Sequence, residues 1–481
     1  RAVSLGTVMA LAGIVVLLTT PVVERFDLLT TSLGDTSAYE YAVARRLGLG
    51  LLVLGPTMLL VGIGLPWVLE ATRDLRGAGL VYALNTAGAS LGSLLAAWLL
   101  LPSIGFSRTA WIAAAVLGIG AWVADSRRRR LHVVAMVVAA IVAMVGASDV
   151  GEVRVQSNIE HEHRVVASRE GPDATVSVIE YPDQSRHLVI DGFYASATQA
   201  GAHYMVWMGH LPMIMHPDPR QALVICFGTG QTSNAVRREG PEHLDIVDIN
   251  GTVLAMADLF PENEGVLEDP RVDHHVMDGR AWMRRTSRRY DVVTLEPMPP
   301  TFAGSNALYS AEFYALVDDK LTADGVVAQW LPFHLVSPEE SASITATFIA
   351  QFPDAYLWID TFGTGILVGR KSGGPLLPGL SRPVERDMAP HEVVAAMKYD
   401  RTILEQYAQL GQSVTDDNQH LSYGWGRMRW WGQGADGRET MTYQHAVLDA
   451  MRGPGSVEVK IVEFLRKYPH PTAYAKAHPQ P

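Results

Sequence analysis

The chain has 481 residues, 48% of them hydrophobic and 19% charged, so a short peptide, a disordered tail and a disulfide-stapled toxin are excluded and at least two folding units are expected. Residues 1–150 contain no Lys, 11 Arg and 8 acids, whereas residues 151–481 hold the other 28 basic and 42 acidic residues, a division of +3 against −14. That division predicts a membrane part joined to an acidic soluble part, excludes a nucleic-acid partner, which needs a basic stripe, and leaves the single Cys226 unable to form an internal disulfide or a Cys-rich metal site.

Apolar runs at 4–23, 47–69, 79–101, 109–124 and 131–147 each approach the ~20 residues that a helix needs to cross a bilayer. They predict a multi-pass α-helical membrane region over 1–150 with about five helices, the last two short. No run carries an ionisable residue near its centre, so an anchor fits better than an ion path. The segment from Gly88 to Gly92 has the small-xxx-small spacing that lets two helices approach closely in lipid. Alternate loops collect Arg1, Arg73, Arg76 and Arg127 to Arg130 on one side, and Arg25, Arg45, Arg46 and Arg108 on the other. The richer side is expected to be cytoplasmic, which carries the soluble half outside if 131–147 crosses. The chain opens on Arg1 rather than Met, so an upstream part is expected.

From 151 to 215 the runs "RVVAS", "TVSVIEY" and "HLVIDGFYAS" predict a small antiparallel β-sheet domain, with a helix from His203 to Met215 after it. "QALVICFGTG", "HLDIVDIN", "VDHHVMDG", "YDVVTLEP" and "GVVAQWL" then alternate with helical stretches, the pattern of a parallel doubly wound sheet with its ligand at the carboxyl ends of the strands. The signals of interest fall at those ends. Gly228-Thr229-Gly230 turns from the first strand into a helix, where a ligand can approach bare backbone. Asp248 closes the second strand, where a carboxylate can accept both ribose hydroxyls. Asp278-Gly279 closes the third, at the usual height of an adenine edge.

The order and spacing of "HYMVWMGHLP", "HPDPRQALVICFGTG", "IVDIN", "MDGRAWM", "YDVVTLEP", "LYSAEFYALV" and "DGVVAQW" resemble the spermidine synthases, the polyamine aminopropyltransferases. The "GLVYALNTAGASLGSLLAAWLLLPSIG" helix and the "TDDNQHLSY" tail look like the membrane-fused spermidine synthase-like proteins of the bacterial inner membrane. The resemblance implies an α/β Rossmann-like, methyltransferase-type domain over 216–372, after the β domain, and a C-terminal extension over 373–481 packed on it. It also implies decarboxylated S-adenosylmethionine as co-substrate, with no covalently bound cofactor and no metal, and membrane lipid as surroundings. Partners are either a membrane complex or a second copy of the chain.

Carried over residue by residue, Gly228, Gly230, Asp248, Asp278, Gly279 and Gln329 match nucleoside-binding positions, and Tyr204 matches the Tyr beside the amine. Other positions depart. The loop's usual Asp is Thr229, two usual glycines are Cys226 and Phe227, a Gln is Ala195, and a Gln-Glu pair is Met205-Val206. Where the family reads Asp-x-x-Asp-Pro, the chain has Glu296 and, at the second Asp, Pro299. Aminopropyl transfer needs a base for the amine and charge to offset desolvation of a dication. Glu296 is the remaining base, its carboxylate displaced by one methylene. Two readings therefore stand: a membrane-anchored aminopropyltransferase with catalytic Glu296 and Tyr204, or an idle domain of the same fold serving as accessory subunit of a membrane complex. Cys226 reads as a core residue, the pairs His161/His163 and His274/His275 as surface or satisfied histidines, 371–390 as a surface loop, and Trp425, Trp430 and Trp431 as tail packing or a membrane contact.

Overall fold

The computed structural model describes residues 4–24, 39–72, 75–146, 163–171, 173–198, 203–302, 304–360, 362–386, 388–422, 437–452 and 457–479. His161, Trp425, Trp430, Trp431 and the loop arginines Arg1, Arg25 and Arg73 lie outside them. The chain divides into two compact units, Arg1–Tyr194 and Ala195–Pro481.

The first unit opens with apolar helices: α1 (Leu5–Glu24), α2 (Tyr39–Ala71), α3 (Leu75–Leu95), α4 (Leu101–Ala124) and α5 (Arg129–Gly146). A π-helical turn, Ala96–Leu100, joins α3 to α4. Three stretches, Leu5–Glu24, Val43–Ala71 and the 50-residue Leu75–Ala124, are long and apolar enough to cross a membrane by length and composition. Gly105, at φ +80° and ψ 175°, leaves helical geometry and marks a kink between two helices, a conformation open to a residue without a Cβ.

Small residues explain the packing of α1. A Cβ on Gly6 would lie 2.6 Å from the Cβ of Asp125, and one on Gly13 would lie 2.9 Å from Cε of Met136, so glycine is what lets α1 approach the end of α4 and the side of α5. The α3 helix is different: it has no buried residue, and nothing lies within 4 Å of a Cβ added to Gly88 or Gly92. The small-residue spacing there therefore seats no helix among the described residues.

The unit continues into a four-stranded antiparallel sheet in sequence order, β1 (Arg164–Glu170), β2 (Thr175–Glu180), β3 (Arg186–Ile190) and β4 (Phe193–Ala197). Asp191 and Gly192, at φ +48° and +82°, form the two-residue turn whose twist suits a hairpin.

The second unit begins with α6 (Tyr204–Met215), buried over nearly its whole length. An alternation follows: β5 (Gln221–Ile225), α7 (Gln231–Arg238), β6 (His243–Asp248), α8 (Gly251–Ala255), β7 (Val272–Val276), α9 (Gly279–Arg285), β8 (Tyr290–Leu295), α10 (Ala311–Lys320), β9 (Leu321–Leu331), α11 (Pro338–Gln351), β10 (Asp354–Ile359) and β11 (Gly365–Arg370). The strands β7, β6, β5, β8 and β9 are parallel neighbours, as the apolar runs predict. Beyond β9 the sheet turns antiparallel through β11, β10 and β12 (Met397–Tyr399) to make eight strands. The core between this sheet and its helices includes Leu223, Val293, Phe313, Tyr314, Val327 and Phe348, all fully buried.

The C-terminal helices α12 (Pro390–Ala396), α13 (Arg401–Ala408), α14 (Gly437–Ala450), α15 (Val457–Lys467) and α16 (Pro471–Ala477) add an aromatic cluster in which buried Tyr443 meets Phe464 at 5.5 Å and Tyr474 at 6.0 Å between ring centroids. The Pro/Gly-rich 371–390 segment is tied down rather than free. Arg382 and Arg386 both reach the buried carboxylate of Glu239, at 3.2 and 2.5 Å.

Candidate active site

The loop after β5 is shaped by three left-handed residues, Cys226 at φ +75°, Gly228 at +57° and Gly230 at +85°. Cys226 thus stands past the end of the strand, not on it, and burial pushes its thiol well above the usual range. Gly230 has no room for a side chain: an added Cβ would meet Cζ of Phe227 at 2.6 Å and Cβ of Asn263 at 2.7 Å.

Asp248, at the carboxyl end of β6, holds this loop in place. Its two oxygens accept the backbone N–H groups of Phe227 and Asn250, each at 2.8 Å, and burial raises its carboxyl above the ordinary carboxylate value. One strand further out, the N–H of Met277 donates to the carbonyl of Asp248 at 2.9 Å, which sets Asp278 beside it. The Asp278 side chain caps α9 by accepting from the N–H of Ala281 at 2.7 Å. Gly279 is buried, and a Cβ there would come 2.4 Å from Cγ2 of Ile225. Gly279→Ala is therefore expected to destabilise the second unit by about 1–3 kcal/mol through overpacking, read as a lower denaturant midpoint at unchanged slope.

Glu296 follows β8, and its N–H donates to the carbonyl of Ile225 at 3.3 Å, so it stands next to the glycine loop. Its carboxylate accepts a close hydrogen bond from the Tyr204 hydroxyl and a longer one, 3.5 Å, from Thr232. Burial pushes Glu296 up to about 7, against the opposing pull of those two hydroxyls. Tyr204, by contrast, is held well above its usual range by burial and by the Glu296 charge, so it stays a neutral donor. Its ring lies parallel to that of Trp330, 6.1 Å between centroids and 12° between planes.

The structure thus gathers Tyr204, Glu296, Gly228, Gly230, Asp248, Asp278 and Gly279 at the carboxyl ends of β5 to β8. Gln329 stands near the carboxyl end of β9, paired with Leu295 of β8. It is fully buried in β9, where it accepts from the Tyr314 hydroxyl at 3.2 Å and donates to the Trp330 carbonyl at 3.2 Å.

Several participants carry no motif. Ser196 Oγ lies 3.1 Å from Thr229 Oγ1 and accepts the Thr229 N–H at 3.2 Å, while the Met205 sulfur accepts from Ser196 at 3.3 Å. The side chains at 205 and 229 that depart from the family pattern therefore satisfy each other. The tail motif also has a physical role: Arg280 grips Asp416 with two bonds, 2.6 and 2.5 Å, fastening the tail directly behind Asp278-Gly279. A separate group, His243, Asp245 and Asp273, is an ion-pair network, because Arg288 donates to both oxygens of Asp245 at 2.9 Å. His275 joins it at 3.0 Å and stacks on Trp282, so it is a satisfied histidine, while His274 is exposed.

Residues 202–367 match the family described as Spermine/spermidine synthase domain. The chain is 32% identical over 195 residues to a polyamine aminopropyltransferase of Nitrosomonas europaea, covering 40% of this chain and 58% of that protein. It is 26% identical over 166 residues to one of Thermotoga neapolitana, covering 34% and 56%. It thus spans little more than half the length of these relatives. A crystal structure of spermidine synthase in complex with the transition-state analogue AdoDATO aligns with a TM-score of 0.47 at 20% identity, over 53% of this chain and 93% of that one. The C-terminal part of the chain therefore carries a spermine/spermidine synthase domain, preceded by long apolar helices.

Proposed function

We propose that the second unit transfers the aminopropyl group of decarboxylated S-adenosylmethionine to an amine, on a chain that its apolar helices anchor in a membrane. The observation that carries this reading is the buried carboxylate of Glu296 bonded to the Tyr204 hydroxyl; burial pushes it up to about 7, and a general base works best when its pKa lies near the working pH. The amine nitrogen attacks the methylene beside the sulfonium. The new N–C bond forms as the C–S bond breaks, the sulfur leaves as a neutral thioether on the nucleoside, and the amine proton passes to Glu296. Asp248 would hold the ribose hydroxyls, the Gly228–Gly230 turn would let the nucleoside approach the backbone, and Asp278-Gly279 would face the adenine.

The accessory-subunit reading draws on Val206 and Pro299, which stand where the family has acids. A product assay separates the two. Incubation of the full chain in detergent with decarboxylated S-adenosylmethionine and a panel of amines is expected to release the thioether nucleoside and an aminopropylated amine in equal amounts. Binding of the nucleoside with no product from any amine would favour the accessory role.

A further inference from the structure

Asp360 follows the last residue of β10 and is 5% exposed. Its Oδ1 accepts the N–H groups of Phe362 and Thr364, at 3.1 and 2.6 Å, which closes the turn into β11. Its Oδ2 is buried with no hydrogen-bond partner among the described residues. A buried carboxylate oxygen left unpaired is costly and calls for a ligand or another explanation.

Its surroundings point to the ligand. β10 runs antiparallel to β11, which runs antiparallel to β9, so the end of β10 falls on the same edge of the sheet as the ends of β8 and β9. The order β8, β9, β11, β10 separates Glu296 and Asp360 by three strand spacings, roughly 14 Å between backbones. On the intervening β9 stands Trp330, whose ring is parallel to that of Tyr204 and whose Nε1 is also buried without a partner among the described residues. The Tyr204 hydroxyl bonds Glu296 and also feels the charge of Asp360. The two carboxylates thus lie on one edge of the sheet, with the Tyr204 and Trp330 rings on elements between or beside them, an arrangement suited to a chain with an apolar middle and two cationic ends. Pro299 leaves no acid three residues after Glu296; Asp360 supplies a charge from another strand.

We propose that Asp360 is a specificity-determining residue that binds the distal ammonium of a linear diamine or longer polyamine, while the near nitrogen lies at Glu296. The inference rests on the aminopropyl-transfer reading and adds a residue to its amine side.

The test is isothermal titration of the detergent-solubilised full chain, saturated with 5′-methylthioadenosine, with linear α,ω-diamines of increasing length and with monoamines of matched length. Diamines are expected to bind about ten-fold or more tightly than the matched monoamines, the scale of a charge-assisted hydrogen bond. Asp360→Asn keeps the Oδ1 acceptor and removes the charge. It is expected to bring the diamine-to-monoamine ratio close to one, with nucleoside and monoamine affinities unchanged. Asp360→Glu reaches one methylene further and is expected to move the preferred diamine to a shorter chain, a shift that a purely structural role of Asp360 would not produce. Equal affinity of the unaltered protein for diamines and monoamines, or a length preference unmoved by Asp360→Glu, overturns the assignment. Where amines bind and react but the ratio survives Asp360→Asn, Asp360 alone is wrong; where no amine binds or reacts, the transfer reading fails and takes this inference with it.

Discussion

Glu296→Gln is expected to lower kcat/KM for aminopropyl transfer by about 10²–10⁴-fold, the usual contribution of a positioned general base, and to erase the limb of the pH profile that rises through about 7. The direction follows from the chemistry: the base accepts a proton only when ionised, so the unaltered enzyme gains rate as pH climbs past that value. Stability should move the other way. Burial raises the carboxyl from its ordinary 4.5 to about 7, so the folded state binds this proton more tightly than the unfolded chain does. Stability from this group is fully present below 4.5 and is lost as pH rises through 7, by about 3 kcal/mol for a shift of that size. The glutamine variant carries no such charge and is expected to be the more stable protein at pH 8, the gap closing toward pH 4.5. Denaturant melts at several pH values alongside single-turnover rates would check both. A uniform loss of rate at every pH, with no change in relative stability, would show that Glu296 does not act as base.

Asp248→Ala carries the second large effect, expected on the nucleoside. Two charge-assisted bonds from the ribose hydroxyls to one carboxylate are worth about 1.5–3 kcal/mol each, so affinity for 5′-methylthioadenosine should fall by about 10²-fold or more. Part of that loss would be indirect, since the alanine also strands the N–H groups of Phe227 and Asn250 that bond to the carboxylate. Asp248→Asn separates the contributions: its one carbonyl oxygen still takes a loop N–H, but the charge that favours the ribose hydroxyls is gone. Titration of both variants should therefore show loss of affinity in each, with thermal stability lowered more by the alanine, which strands both N–H groups, than by the asparagine, which strands one. Undiminished nucleoside binding in both would remove the ribose from Asp248.

The strand ends were the readable part of this site because a parallel sheet leaves little choice. Glycine at 228 and 230 and acids at 248 and 278 fall where apolar runs stop, and the alternation of strand and helix puts all those stops on one edge. What could not be read depends on pairs far apart in the chain. Nothing in "LWIDTFG" marks Asp360 as different from any turn-forming Asp, and its nearness to Tyr204 arises only once β11 and β10 add antiparallel strands beyond β9. Arg280 and Asp416 are similarly joined by the fold, not by spacing. Gln329 shows the opposite limit. A match to a family position locates a residue on its strand, but the side chain here bonds to Tyr314 and the backbone. In the helical part, the gap between the third and fourth apolar runs is where Gly105 leaves helical geometry and kinks the chain between two helices.

The contrast between α1 and α3 bears on how this protein can change over generations. Each glycine of α1 is fixed by a named neighbour, Asp125 for Gly6 and Met136 for Gly13, so a replacement there survives only with a compensating change on α4 or α5. Along α3, Leu80, Leu84 and Leu91 are all exposed among the described residues. Hydrocarbon accepts Ile, Val, Phe or Met in place of Leu with little distinction. Homologous lineages should accordingly keep the α1 seam and drift freely along α3, preserving its hydropathy while losing its letters.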